Sequence, residues 1–353
     1  MTPLLDILYT RILANGPMSL AEYMSTCLLH PDHGYYATRD PFGQGGDFIT
    51  APEISQMFGE LIGLALAQSW IEQGRPTAFT LAELGPGRGT LMADMLRATK
   101  GVDGFHAAAQ IVLVEASATL RDIQRDTLRG YDVTWTESVS NLPAAPLWMV
   151  ANEFFDALPI RQFERGDTGW RERLVHAKDG RLGFGLAYET TYADLTGRLD
   201  DTRTGDIVET CTPAAAVAAQ IGGIIEAHGG GAILIDYGDW RSLGDTFQAL
   251  RAHEHVDPLA APGEADLTAH VDFEALADAT PSAYSRLTPQ GVFLNRLGIS
   301  HRAQTLAENM SEAALDALEA AFHRLTSAEE MGTLFKVMAF YPSIANPPPG
   351  VEA

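Results

Sequence analysis

Two hydrophobic periodicities divide the chain. Before residue 75, apolar positions recur at three- and four-residue intervals: Leu4, Leu5, Leu8 and Ile12, then Leu20, Met24, Cys27 and Leu28. That spacing marks one buried helix face. Asn15-Gly16-Pro17 separates two helices, and Ser19 with Glu22 three residues on is a capping-box start for the second. Residues 31–50, rich in Gly, Pro and aromatics, read as an irregular loop, and PEISQMFGELIGLALAQSWIEQG as one long helix with Pro52 in its first turn. From Phe79 onward, short apolar runs alternate with helical stretches: FTLAEL, AQIVLVEA, DVTWTE, LWMVANEF, GAILIDYG and LFKVMAF. Such alternation predicts an α/β fold with a doubly wound, mostly parallel sheet. Two-residue alternation interrupts it at 161–212, where Asp179-Gly180 marks a hairpin turn. The expected layout is an N-terminal helical cap with a covering loop at 1–75 and a Rossmann-like core at 76–160 and 213–345, with a β-rich insertion at 161–212 and a flexible tail at 346–353.

Composition narrows the function. With 353 residues and 46% hydrophobic content the chain can bury a large core. A formal net charge of −22 argues against binding the nucleic-acid backbone, which needs clustered Lys and Arg. It suits a basic partner, or plain solubility. Cys27 and Cys211 stand alone, which suggests a reducing compartment and buried apolar roles. The first residues carry Asp6 early and Arg11 late, unlike a signal peptide or an acid-free transit peptide, and no apolar run approaches the roughly 18 residues of a membrane span. A cytoplasmic protein without a transmembrane segment is expected. His30 with His33, and His253 with His255, lack a third ligand at metal spacing, so no metal is expected.

The candidate chemistry begins at TLAELGPGRGTLMADMLR. A triphosphate loop needs Gly-Lys-Ser/Thr, and Gly85-Pro86-Gly87-Arg88-Gly89-Thr90 has no lysine. A dinucleotide fingerprint needs glycines at offsets zero, two and five; here they stand at zero, two and four, behind Glu83. This E-x-G-x-G-x-G pattern resembles the first motif of class I methyltransferases that use S-adenosyl-L-methionine. That cofactor carries a sulfonium and an α-ammonium group and no phosphate, so an acidic residue beside the turn suits it. Gly85, Gly87 and Gly89 would let the backbone, with Pro86, pass close to it, and Glu83 would favour its ammonium end. Glu115, ending IVLVEAS, can accept both ribose hydroxyls. Ser138 stands where many class I enzymes carry Asp, so the adenine contact falls to the backbone of Ser138 and Val139. Within GDFITAP, Asp47 and Thr50 are expected to close over the cofactor, and Gly45 and Gly46 suggest a loop that moves or sits against ligand. LWMVANEFFDALP places Asn152, Glu153 and Asp156 at the carboxyl end of the fourth strand, where open α/β sheets bind ligands. Asn152 is expected to bond the cofactor. Phe154, with Phe155, would wall the acceptor from water. Asp236 and Tyr237, ending the next strand, and His270, in DLTAHVDF, are candidate substrate contacts, against packing roles for the last two.

Over nearly its whole length the chain resembles the MidA-like family of S-adenosyl-L-methionine-dependent methyltransferases. The residues that carry the likeness are HPDHGYY (30–36), GDFITAPEISQMFGELIG (46–63), ELGPGRGTLM (83–92), NEFFDALPIRQF (152–163), IDYG (235–238), GDTFQALRAHEHVDPLAAPGEADLTAHVDF (244–273) and MGTLFKVMAF (331–340). Mitochondrial members of that family support assembly of respiratory complex I by methylating arginine in one of its subunits. The resemblance therefore implies a protein substrate, a complex I subunit or assembly intermediate, and arginine N-methylation; a homodimer is also admitted. A guanidinium nitrogen is a poor nucleophile because its lone pair is delocalised. Carboxylates forked onto the other nitrogens would localise the positive charge away from it. Glu153 is the first candidate for that catalytic role and Asp156 the second, against an N-cap role for Asp156. Two alternatives stay open: a non-catalytic S-adenosyl-L-methionine-binding assembly factor, and a small-molecule methyltransferase.

Overall fold

The computed structural model describes residues 2–38, 50–308 and 310–353. Each predicted core strand forms. Phe79–Leu84, Ala109–Val114, Val133–Thr136, Leu147–Asn152 and Gly230–Asp239 run parallel, and Phe335–Tyr341 lies antiparallel to Gly230–Asp239. Across the sheet the order is Val133–Thr136, Ala109–Val114, Phe79–Leu84, Leu147–Asn152, Gly230–Asp239, Phe335–Tyr341 and Ala283–Tyr284. Winding reverses between Phe79–Leu84 and Leu147–Asn152, which pair directly. Beyond the carboxyl ends at that reversal a crevice opens.

Both faces of the sheet are covered, and for that reason its strands are continuous apolar runs. Leu81, Leu113, Trp148, Val150 and Ile233 meet the helices Gln56–Glu72 and Thr90–Ala98. Ala82, Val112, Met149 and Leu234 meet Thr212–His228 and Phe273–Ala279.

The N-terminal part departs from expectation. The single helix expected from Pro52 is two, Ala51–Ile54 and Gln56–Glu72, parted by Ser55 in extended backbone (φ −158°, ψ 135°), whose side chain accepts from Met57 N. The longer helix belongs to the core layer, not to a cap. It lies tightly on Thr90–Ala98: a Cβ at Gly63 would fall 2.7 Å from Met95 Cα, and one at Gly59 2.7 Å from Asp94 Cβ. What remains of the cap is Pro3–Asn15 and Leu20–Leu29, the latter started by the Ser19–Glu22 capping box. These helices rest on the insertion and on the chain beside it: Met18–Ser19 pairs with Trp170–Lys178, and Leu8, Tyr23 and Met24 pack with Val175 of the insertion and with Ile160 and Leu267 outside it.

Within 161–212, the strands Arg161–Arg165, Trp170–Lys178, Arg181–Leu186 and Ile207–Thr210 build an antiparallel sheet. Asp179 and Gly180 both take positive φ (51° and 75°), as a two-residue I′ hairpin turn requires. A further sheet, Gln248–Arg251 with Glu254–Val256 and Asp266–Thr268, occupies part of the span expected to belong to the core. Its strands are short and largely polar, so no apolar run announced them. The tail is also corrected, because it is anchored: Arg286 N donates to Glu352 O (2.8 Å) and Arg296 pairs with the Glu352 carboxylate (2.6 Å). No helix among the described residues is long and apolar enough to cross a membrane.

Candidate functional site

The crevice holds a cavity of about 790 Å³. On one side stands the glycine turn. Gly85, Gly87 and Gly89 all have positive φ (59°, 51° and 82°), and a Cβ on Gly85 would press to 3.0 Å from Phe154 Cδ2. Gly85, Pro86 and Gly87 line the cavity. Gly89 instead caps the helix Thr90–Ala98, in the left-handed conformation that L side chains avoid. Below the turn, Glu83 is buried with Oε2 unpartnered among the described residues. Burial pushes it up to about 8, and the Glu115 charge adds to the rise. Glu115 follows the neighbouring strand, its carboxylate accepting from Ser117 N (2.7 Å) and Gln124 Nε2 (3.2 Å); burial raises it too. Ser138, exposed, and Val139, buried, line the same wall.

The other side is the turn after Leu147–Asn152. Glu153 has positive φ (51°) and donates its backbone N–H to Ile235 O (2.9 Å). Its Oε1 accepts from Asn152 Nδ2 (3.0 Å) and from Ala51 N (3.3 Å), just after Thr50. Burial pushes Glu153 up to about 8, with the Asp156 charge second. Asp156 Oδ2 accepts from the Tyr237 hydroxyl (2.5 Å), while its Oδ1 and Asn152 Oδ1 are buried and unpartnered among the described residues. The Tyr237 ring stands edge-on to His270 and Phe335, both with centroids at 5.4 Å. Burial lowers His270, and Lys336 nearby lowers it further. Thr50, Asn152, Glu153, Phe154, Asp156, Tyr237 and His270 all line the cavity.

One predicted contact is corrected. Asp236 does not line the cavity. It is buried, with Oδ2 accepting from Phe155 N (3.0 Å) and Asp156 N (3.2 Å) and Oδ1 from Tyr237 N (3.0 Å), so it holds the turn that carries Asp156. Successive strand residues point to opposite faces; with Tyr237 facing the cavity, Asp236 must face away. The expectations for Gly45, Gly46 and Asp47 lie outside the described residues. Sequence reasoning missed Glu53, whose Oε1 accepts from Thr90 Oγ1 (2.5 Å), and Tyr36, whose hydroxyl donates to Asp266 Oδ1 (2.7 Å). HPDHGYY and GDFITAPEIS signalled their segments, but no local spacing pointed at Asp266. Among the described lining residues, carboxylates outnumber arginine seven to one, an electrostatic preference for a cationic ligand. No cluster of three metal-ligating side chains occurs among the described residues.

A family model for S-adenosyl-L-methionine-dependent methyltransferases matches residues 61–292. The chain is 38% identical to the mitochondrial protein arginine methyltransferase NDUFAF7 of Danio rerio, over 94% of this chain and 85% of that one. It is 36% identical to the Homo sapiens protein of the same name, over 97% and 84%. A crystal structure of a Burkholderia thailandensis protein bound to S-adenosyl-homocysteine superposes with a TM-score of 0.85 at 29% identity, covering 98% of this chain and 94% of that chain. Both arginine methyltransferases are named as mitochondrial proteins, which overturns the cytoplasmic expectation.

Proposed function

The chain belongs to this family of S-adenosyl-L-methionine-dependent methyltransferases, and from that premise we propose that it methylates a guanidinium nitrogen of arginine in a partner protein. Its cofactor is S-adenosyl-L-methionine. When bound, that cofactor supplies a methyl group made electrophilic by a positively charged sulfur. The fit is supported by the buried Glu83 Oε2 and Asn152 Oδ1 at the cavity wall, unpartnered among the described residues, and by a glycine turn whose backbone lies open to it. Glu83 would favour the cationic end, with Thr50, Asn152 and the Gly85-Pro86-Gly87 backbone around it and Gly89 shaping the turn. Glu115 would accept the ribose hydroxyls, and the backbone of Ser138 and Val139 would meet the adenine.

The observation that carries the arginine reading is the pair Glu153 and Asp156 on one turn, facing the cavity that the glycine turn also lines. Two carboxylates forked onto a guanidinium would hold it by charge-assisted bonds and draw the positive charge away from the attacking nitrogen. Tyr237 orients Asp156 through its hydroxyl, while Phe154 and His270 would wall the acceptor. The methylated nitrogen loses its proton readily, so no strong base is required. The chain's net charge of −22 suits a basic arginine-bearing segment. By resemblance, that segment belongs to a respiratory complex I subunit or assembly intermediate.

The test is to incubate the purified chain with methyl-labelled cofactor and complex I subunits from cells lacking this protein. Label recovered as methylarginine, and lost with Glu153→Gln, is the expected result. Label on lysine, or on small molecules alone, would sink the arginine reading.

A further inference from the structure

Gln124 sits on the helix Ala118–Thr127, otherwise largely polar, yet its side chain is fully buried. Both ends of its amide are used. Nε2 donates to Gly87 O (2.8 Å) and to Glu115 Oε2 (3.2 Å), and Oε1 accepts from Trp135 Nε1–H (2.8 Å). An indole N–H can only donate, so this network turns the amide oxygen toward Trp135 and both amide hydrogens toward the glycine turn and Glu115. The second Glu115 oxygen accepts from Ser117 N (2.7 Å). Each carboxylate oxygen thus has an internal donor among the described residues, and Glu115 lines the cavity. The packing agrees, since a Cβ on Gly89 would stand 3.5 Å from Gln124 Cγ.

We infer that Gln124 is a positioning residue for cofactor binding: one amide sets both the Glu115 carboxylate and the glycine turn, and Trp135 holds that amide's orientation. The inference rests on the reading of Glu115 as the ribose contact. A carboxylate already locked in its bonding rotamer loses less freedom on binding than one that must be ordered at that moment. Leucine at 124 would remove the partner that Gly87 O, Glu115 Oε2 and the half-buried Trp135 N–H share. Glutamate would set two carboxylates against each other until one took up a proton.

The experiment is calorimetric titration with S-adenosylhomocysteine and with its 2′,3′-dideoxyribose analogue, on the native chain and on Gln124→Leu, Gln124→Glu and Trp135→Phe. The native chain should prefer the intact ribose. In Gln124→Leu that preference should shrink tenfold or more, and in Trp135→Phe, the milder change, two- to fivefold. In Gln124→Glu the preference should return as pH falls from 8 to 5.5, because a shared proton restores the donor. An unchanged preference in Trp135→Phe and Gln124→Leu, with both ligands weakened equally, would reduce Gln124 to a structural role and overturn the inference. A native chain that does not distinguish the two ligands would instead overturn the Glu115 reading, and the inference with it.

Discussion

At the scale of single residues the decisive fact is where burial leaves the carboxylates. Glu153 is pushed up to about 8, first by burial and then by the Asp156 charge. Below that value it is protonated and cannot neutralise a guanidinium. Its anionic form therefore grows as pH rises through about 8. Since kcat/KM reports the free enzyme, it should climb between about pH 6.5 and 9, with its midpoint near the Glu153 value. Glu153→Gln should flatten that rise and lower kcat/KM by about 100-fold, the typical loss when a preorganised electrostatic group is removed, with cofactor affinity nearly unchanged. A flat profile in the native enzyme would count against Glu153 as the guanidinium ligand. Glu153 was legible in the sequence because it ends an apolar strand run. Asp236 also ends one, but the strand's two-residue period turned it to the Phe155–Asp156 backbone.

At the scale of elements, close approach decides. Gly63 lets the helix Gln56–Glu72 lie on Thr90–Ala98, and any side chain there meets Met95 backbone at 2.7 Å. Gly63→Ala should therefore destabilise by about 1–3 kcal/mol through overpacking, read as a lower urea midpoint. Cofactor affinity of the folded fraction should hold; an unchanged midpoint would mean the helices separate without strain. Ser19→Ala removes the side-chain half of the capping box, the Ser19 hydroxyl that accepts from Glu22 N, and leaves the backbone half; it should cost about 1 kcal/mol, measurable in the same titration. Both glycines of GELIG were visible in the sequence. Their partner helix was not, because two glycines four apart say that something approaches, without saying what.

At the scale of the whole molecule, the acidic cavity links ligand, proton and stability. Glu83 and Glu153 are both raised from 4.5 to about 8 in the folded chain. A raised group contributes stability that is fully present below its unfolded value and lost as pH rises through its folded value. The melting temperature of the ligand-free protein should thus fall between about pH 4.5 and 8.5. S-adenosyl-L-methionine, bringing positive charge to deprotonated Glu83, should raise it more at pH 8.5 than at pH 6 through tighter binding. Calorimetric melting curves across that range check both signs. A melting temperature indifferent to pH, with equal cofactor effects, would show that these carboxylates titrate as exposed ones do.

By itself the sequence determined the doubly wound sheet, the glycine turn and the antiparallel character of residues 161–212. These follow from local period and from turn residues such as Asp179-Gly180, which neighbours along the chain suffice to express. The tertiary structure decided what depends on distance. It drew Gln56–Glu72 out of the cap into the core, tied Glu352 to Arg286 and Arg296, and folded 248–268 into a sheet of its own. It also joined Tyr36 to Asp266 across 230 residues and set Gln124 between Gly87 and Glu115. Such pairings leave no spacing to read, because the residues that satisfy a buried polar group need only meet in space.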